Sequence, residues 1–275
     1  MKIQTWLSES TQKLRHEQIE SARLDALILL ETELEKSRAW LLAHYVHELS
    51  ASKISNLNKK LSQRLHHTPL AYIIGSKEFY GRSFIVTEDV LIPRPESEAL
   101  IELLIGIARL EDAPNTIFDI GTGTGCLAIT AKLELGNIHC TAVDCSAPAL
   151  KVAKKNAAML QASVRFCKSD LLENVPKMPK TRPYVILANL PYVPEGLITS
   201  EEITKEPAEA LFSGSDGLDL YRRFWQQVAN LKNPPRHIIT ESLDSQHVAL
   251  QTLAQIAGYE ISKEQDLAQQ FTKSS

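Results

Sequence analysis

Three short stretches of this sequence hold residue types that could do chemistry. The first is Phe118-Asp119-Ile120-Gly121-Thr122-Gly123-Thr124-Gly125-Cys126, where glycines alternate with threonines between an apolar run and a helical one. Glycine lets backbone approach a ligand because no Cβ intervenes, and a helix N-terminus behind it offers unpaired N–H groups. The second is Asp144, 23 residues after Gly121, at the end of the next apolar run. A carboxylate there can accept two hydroxyl hydrogens from a ribose. Two ligands satisfy this pair. A dinucleotide fits the looser spacing of Gly123, Gly125 and Ala128. S-adenosylmethionine fits the tighter GxGxG of Gly121, Gly123 and Gly125, with an acid, Asp119, two residues ahead. The third stretch is Asn189-Leu190-Pro191-Tyr192, directly after the apolar run Tyr184–Ala188. An amide or aminopyrimidine nitrogen is planar and its lone pair is delocalised, so it is a poor nucleophile. Acceptors set against both of its N–H bonds hold it and favour the charge that develops during attack. The Asn189 side-chain oxygen and the Leu190 carbonyl are two such acceptors, Pro191 fixes the turn, and Tyr192 gives an aromatic wall.

Positioning these residues requires a parallel sheet. Strands are expected at Thr116–Ile120, His139–Val143, Val164–Cys167, Tyr184–Ala188 and His237–Thr240. Helices are expected at Cys126–Leu135, Ala147–Leu160, Leu218–Leu231 and Ser245–Ala257. Strands separated by helices mean βαβ units, with the three stretches at strand carboxyl ends, where such sheets bind ligands. Glu241, at the end of the fifth strand, could complete a hydrogen bond at the crevice. The proline-rich stretch Val175–Pro183 reads as a surface loop.

The first 75 residues read as a helical bundle. Ser21 is placed to cap a helix carrying Leu24, Leu27, Ile28 and Leu34, and Ser37 to cap a short helix with Trp40 and Leu41. Leu57, Leu61 and Leu65 mark one face of another. Phe79 to Val86 places Gly81 between two aromatic or β-branched runs, a hairpin signal. Pro93 and Pro95 delay the next helix until Glu96 or Ser97. The expected division is 1–75 helical, 76–98 hairpin and linker, and 99–275 a Rossmann-like domain.

Composition sets the outer bounds. Of 275 residues, 44% are hydrophobic and 23% charged, which is globular and excludes disorder as the main state. Thirty Lys and Arg against 33 Asp and Glu leave a net charge of -3, which excludes a broadly basic nucleic-acid coat. The deficit is local: residues 76–115 hold 4 basic and 8 acidic residues, whereas residues 1–75 hold 10 and 8. No run spans a bilayer and Met1–Trp6 does not read as a signal peptide, so a cytoplasmic protein is expected, without membrane association. Cys126, Cys140, Cys145 and Cys167 show no CxxC spacing and are expected to be reduced and mostly buried. The pairs His44/His47 and His66/His67 lack an accompanying ligand set, so no metal is expected. Glu201, Glu202 and Glu206 read as a solvated acidic run.

The three stretches resemble the class I S-adenosylmethionine methyltransferases that modify planar NH2 groups, and within them the HemK/PrmC family of release-factor glutamine N5-methyltransferases. The resemblance runs over nearly the whole chain. It includes Ala22–Ala26, Ser37–Leu42, Pro69–Gly75, Leu91-Ile92-Pro93-Arg94-Pro95-Glu96 with Glu98, Glu206-Pro207, Ala210–Phe212 and Asp216–Leu218. The Ile92–Glu96 segment is more family-specific than the glycine loop. The resemblance implies a mostly parallel seven-stranded-type sheet with a small N-terminal helical bundle. It implies a cofactor site of Asp119, Gly121, Thr122, Gly123, Thr124, Gly125, Asp144, Asp170, Leu171 and Asn189. Gly121–Gly125 would wrap the methionine part, Asp144 would hold the ribose, and Asp170 with Leu171 would flank the adenine. Asn189, Leu190, Pro191 and Tyr192 would bind the substrate amide and promote transfer, with Pro93 and Arg94 also on the substrate side. The cofactor would leave as S-adenosylhomocysteine, with no metal. The partner would be a peptide-chain release factor, held by the helical domain and presenting a Gly-Gly-Gln loop.

Three positions depart from the family pattern. Position 190 is Leu where the family usually has Pro, Ser97 stands for a usual Thr, and the ending Phe271–Ser275 implies a last strand that is short or missing. The same four-residue motif also resembles that of adenine N6-methyltransferases acting on RNA or DNA. A nucleic-acid enzyme needs cations against phosphates, and the acidic 76–115 segment favours a protein substrate. A third reading, resting on Leu190 and the short C-terminus, is an S-adenosylmethionine-binding module with weakened turnover.

Overall fold

A computed structural model describes residues 1–110, 113–175, 183–197 and 200–274; most of the expected loop over 175–183 lies outside the described residues. The chain divides into two compact units, Met1–Ser76 with Ser200–Lys205, and Lys77–Thr199 with Glu206–Ser275.

The first unit is helical: α1 (Ile3–His16), α2 (Ala22–Leu34), α3 (Arg38–Ala43), α4 (Ala51–Leu65) and α5 (Leu70–Ile74). Buried Ile3, Trp6, Leu7 and Leu14 recur at helical spacing on α1, and Leu57 and Leu61 do so on α4. The expected face of α2 needs correction. Leu24 is 45% exposed, and Ala22, Ala26, Leu29 and Leu30 turn inward with Leu27. Ser37 and Ser50 cap α3 and α4 by accepting the N–H of Trp40 and Lys53, but the Ser21 hydroxyl makes no capping bond. The Arg64 guanidinium lies inside this unit. It donates to Asp25 at 2.7 Å, to the Glu202 carboxylate and to the Thr68 carbonyl at 3.3 Å. Glu201 pairs with His67 at 3.3 Å. Glu202 is therefore ion-paired to a buried guanidinium, while the Glu201 side chain is 75% exposed and stays solvated as expected.

The second unit begins with the hairpin of β1 (Ser76–Phe79) and β2 (Arg82–Ile85). Its two turn residues, Tyr80 and Gly81, both have positive φ, the geometry that matches strand twist in two-residue hairpins. After α6 (Glu98–Ala108) come β3 (Thr116–Ile120), α7 (Cys126–Leu135), β4 (His139–Asp144), α8 (Ala147–Met159), β5 (Val164–Lys168) and β6 (Val185–Ala188). Then follow α9 (Asp219–Ala229), β7 (His237–Glu241), α10 (His247–Ile256), β8 (Tyr259–Gln265) and β9 (Ala268–Lys273). The sheet order is β5-β4-β3-β6-β7-β9-β8, parallel through β7 and antiparallel at β9 and β8.

Strand alternation feeds two cores. Ile117, Val185, Leu187 and Ile239 face α6 and α7, while Phe118, Ile186, Ala188 and Ile238 face α9 and α10. This is the class I methyltransferase architecture expected from the sequence. The short or missing last strand is not found. β9 has six residues and pairs on both sides, and β8 completes the seven strands that the resemblance implied, at a position the residue pattern had not marked. The four cysteines are free, but only Cys140 is fully buried, and Cys145 is exposed. Among the described residues no helix is long and apolar enough to cross a membrane.

Asn156 of α8 is fully buried and ties three segments together. Its Oδ1 accepts the Ile85 N–H at 2.7 Å, and its Nδ2 donates to the carbonyls of Ile85 and Thr124 at 3.0 and 2.9 Å. The hairpin is thereby anchored to the glycine loop.

In the helical unit, Glu33 of α2 accepts hydrogen bonds from Lys60 at 2.9 Å and Asn56 at 3.1 Å of α4, with Lys53 at 3.2 Å. Burial pushes its pKa up, yet these partners outweigh burial and hold the carboxyl down at about 2, against 4.5 ordinarily. A folded value below the unfolded one stabilises above the unfolded pKa and is lost as pH falls through the folded pKa. Glu33→Gln is therefore expected to cost about 1–2 kcal/mol near neutral pH, the lysines being partly screened by solvent. The gap from the native chain should close as pH falls from 4.5 to about 2. Calorimetric melting across that range checks this; a constant gap contradicts it.

Candidate active site

The central strands β3, β4, β6 and β7 end side by side, and their carboxyl ends carry the residues of interest. The chain runs outward from β3 through β4 to β5, then crosses to β6 on the other side of β3. That reversal opens a crevice at the strand ends. The cavity there is lined by Gly121 and Gly123 from the glycine loop, Asp144 after β4, Asp170 and Leu171 after β5, and Asn189, Leu190 and Pro191 after β6. Asp89, Leu91, Pro207 and Glu209 add to its wall, and none of these was assigned to the site from the sequence, although Leu91 and Pro207 stand in segments that carry the resemblance.

Several expected residues lie elsewhere. Asp119 is fully buried behind the loop rather than in the cavity wall. Its Oδ2 accepts the Thr122 hydroxyl at 2.6 Å and the Ala128 N–H at 3.1 Å, while Oδ1 has no partner. Asp119 thus braces the loop and caps α7. Burial pushes its pKa up to about 6, against the hydrogen bonds from Thr122 and Ala128. Thr122, Thr124 and Gly125 shape the loop from behind. Pro93 is buried, and Arg94 donates to Glu206 at 2.5 Å, whose other oxygen accepts the Ile92 N–H at 3.0 Å. Glu206 is thus a buried clamp on the Ile92–Arg94 segment.

Several of the N–H groups expected to be free at the loop are engaged within the chain. Gly121 and Thr122 both donate to the Val143 carbonyl at 2.9 Å, Gly125 donates to Thr122 at 2.8 Å, and Ala128 donates to Asp119. Gly123 donates to Asp144 Oδ2 at 2.9 Å, and Ser146 donates to Oδ1 at 2.8 Å. Burial raises the Asp144 pKa while these backbone hydrogens oppose it. Each carboxylate oxygen keeps a second lone pair for a hydroxyl. Asp89, Asp144, Asp170 and Glu209 line the cavity, and among the described lining residues there is no Lys or Arg. Such a wall suits a ligand carrying positive charge and repels a pyrophosphate, which argues against the dinucleotide alternative. A Cβ at Gly123 would meet nothing within 4 Å, so space for a ligand lies against its backbone.

The loop after β6 is held from every side. Asn189 Nδ2 donates to Ser97 Oγ at 2.8 Å, at the start of α6. The Tyr221 hydroxyl of α9 donates towards the carbonyls of Glu241 at 2.6 Å and Ala188 at 2.9 Å, and accepts the Leu190 N–H at 3.4 Å. Gln246 Nε2 donates to the Tyr192 carbonyl at 2.8 Å. The Tyr192 hydroxyl donates to Glu241 Oε1 at 2.9 Å, and burial with that neighbouring carboxylate keeps its pKa above the ordinary range. At Gly121, a Cβ would stand 3.1 Å from the Leu190 side chain, and at Gly217 it would collide with the Tyr192 carbonyl. Both glycines have positive φ. Leu190 fills the space under the glycine loop at 3% exposure, so the residue that departs from the family pattern is packed. Ser97, Tyr221 and Gln246 are supports that sequence reading missed. Each is far from Asn189–Tyr192 in the chain; Ser97 stands in the Leu91–Glu98 segment, but nothing there shows that it reaches Asn189.

Comparison with known proteins agrees with this geometry. Residues 5–75 match the family model described as the PrmC N-terminal domain, and residues 97–261 match the methyltransferase small domain. The chain is 39% identical over 213 residues to the release factor glutamine methyltransferase of Koribacter versatilis (strain Ellin345), covering 76% of this chain and 74% of that one. It is 36% identical over 247 residues to the release factor glutamine methyltransferase of Coxiella burnetii (strain RSA 493 / Nine Mile phase I), covering 90% and 88%. It is also similar to the solved hMettl16 catalytic domain in complex with MAT2A 3'UTR hairpin 6, with a TM-score of 0.54 at 15% identity and 82% coverage of each chain. That last likeness is one of fold. With its fold, its strand-end crevice and relatives that share most of its length, the chain belongs to the release factor glutamine methyltransferase family.

Proposed function

We propose that this protein transfers a methyl group from S-adenosylmethionine to the side-chain amide nitrogen of a glutamine in a protein, the Gly-Gly-Gln glutamine of a peptide-chain release factor. The observation that carries this reading is the placement of Asn189. Its Nδ2 is engaged by Ser97 at 2.8 Å, so its Oδ1 is the atom free to accept from a planar NH2 group. The names of the relatives supply the substrate class.

S-adenosylmethionine supplies an electrophilic methyl on a sulfonium and leaves as S-adenosylhomocysteine. The residues at the cavity fit it. Asp144 would accept the ribose hydroxyls, Asp170 and Leu171 would flank the adenine, and Gly121 and Gly123 would take the methionine part against bare backbone. The acidic lining suits its positive charge. Toward the substrate, Asn189 Oδ1 and the Leu190 carbonyl would each accept one amide N–H. Two acceptors fix the amide plane and present the nitrogen to the methyl donor. As the nitrogen gains positive charge, both hydrogen bonds strengthen, which favours the transition state over the ground state. The nitrogen–methyl bond forms, and an amide proton is released to water. Pro191 and Tyr192 would close the wall beside the amide, with Arg94 and Pro93 shaping the approach from behind. In this reading the helical unit, 1–75, grips the release factor, and 76–98 links it to the catalytic domain, 99–275.

Two substitutions separate the roles. Asn189→Ala should reduce labelled-methyl transfer to a release factor by about a hundredfold or more, while the cofactor dissociation constant stays near the native value by calorimetry. Retained transfer would remove Asn189 from the reaction. Asp144→Ala should instead weaken cofactor binding by about tenfold to a hundredfold; an unchanged dissociation constant would rule out the ribose assignment.

A further inference from the structure

Asn189 can accept from a substrate amide only if its oxygen, and not its nitrogen, faces the cavity. Nothing in the amide itself decides that, because its two ends have nearly the same shape. The decision is made by what lies behind it. Asn189 Nδ2 is 2.8 Å from Ser97 Oγ, and Ser97 is 3% exposed. A hydroxyl that accepts such a bond must direct its own hydrogen to a different acceptor. The nearest acid is Glu241, fully buried at the end of β7 and close enough to Ser97 for its carboxyl to feel the hydroxyl, though no Ser97–Glu241 hydrogen bond is formed in this geometry. Tyr192 donates to Glu241 Oε1 at 2.9 Å, while Oε2 is buried with no hydrogen-bond partner in this geometry. Ser97, Tyr192 and Asn189 all lie close enough to favour the ionised carboxylate, against the burial that raises its pKa. A buried carboxylate oxygen is costly unless a donor meets it.

A carboxylate can only accept. It therefore imposes a direction on every hydroxyl that meets it. With the Ser97 hydrogen turned toward Glu241, the Ser97 lone pair is left for Asn189 Nδ2, and Asn189 Oδ1 is left for the cavity. We propose that Glu241 and Ser97 are positioning residues that set the amide orientation of Asn189 through the chain Asn189 to Ser97 to Glu241, with Tyr192 held on the second carboxylate oxygen. The inference deepens the proposed function and rests on Asn189 as the acceptor for the substrate amide. Ser97 is needed for its hydroxyl, so Thr can replace it and Ala cannot. Glu241 is needed for two acceptor atoms, so Gln, which offers one acceptor and one donor, cannot replace it.

The test compares Ser97→Ala, Ser97→Thr, Glu241→Gln and Asn189→Ala for kcat and KM with a release factor, for S-adenosylmethionine binding by calorimetry, and for melting temperature. Ser97→Ala and Glu241→Gln are expected to lower kcat by about tenfold or more, with cofactor affinity and melting close to native. Ser97→Thr is expected to keep native kcat. Loss of packing alone would lower the melting temperature or cofactor affinity and would not be rescued by Thr. Native kcat in Ser97→Ala, or a fall in Ser97→Thr as deep as in Ser97→Ala, overturns the inference. The serine pair carries the test should Glu241→Gln fail to fold. Asn189→Ala separates the two levels: if it is inactive while Ser97→Ala is fully active, only the positioning inference fails, and if it is active, the proposed function fails with it.

Discussion

The hydrogen bond from the Asn189 side chain to Ser97 is the interaction on which the proposed chemistry of this chain turns. It joins the end of β6 to the start of α6, residues 92 positions apart in sequence. It exists only because the sheet lays β6 between β3 and β7 and because Pro93 and Pro95 delay α6 until Ser97 can reach the crevice. One oxygen facing a cavity is a small result for so much scaffold. It is also what a planar amide requires, because such a nitrogen reacts only when both of its hydrogens are held.

Two buried carboxylates organise the site from behind, and neither lines the cavity. Asp119 holds the glycine loop by Thr122 and the first turn of α7. Glu241 holds the motif after β6 by Tyr192. Burial raises the pKa of both, so both are costly placements. Their return is rigidity at the strand ends. The carboxylates that do reach the cavity, Asp144 and Asp170, have more solvent or more backbone hydrogen bonds, and Arg223 pairs Asp170 at 2.6 Å. The division is physical: deep acids fix loops, and shallow acids line the cavity.

Much of this was legible in the sequence, for identifiable reasons. The central parallel strands β3, β4, β6 and β7 are buried on both faces and read as largely apolar runs, whereas edge strand β5 is only half-buried; β3 falls at its expected limits and β4 to β7 shift by a residue at one end. The glycine loop, Asp144 and Asn189–Tyr192 are local motifs and were found as such. The terminal hairpin was not, because Gln269 and Gln270 give β9 no apolar signature. Its strand state comes from pairing with β7 and β8, a tertiary effect. Asp119 was expected on the ligand and lies behind the loop, since spacing gives a residue's position on a strand but not the depth of its side chain. Ser97, Tyr221 and Gln246 were invisible as supports because their partners are distant in the chain. Glu241 was visible only as the acid that ends a strand.

The central claim is that the acceptor pair of Asn189 and Leu190 serves a protein glutamine amide. Mass-spectrometric mapping of the product after incubation with S-adenosylmethionine, a release factor and cellular RNA tests it most directly. The account predicts a single methyl on the side-chain amide of the glutamine in the Gly-Gly-Gln segment, absent when that glutamine is replaced by glutamate. A methyl found on an adenine amino group of the RNA, with the release factor unmodified, would contradict it.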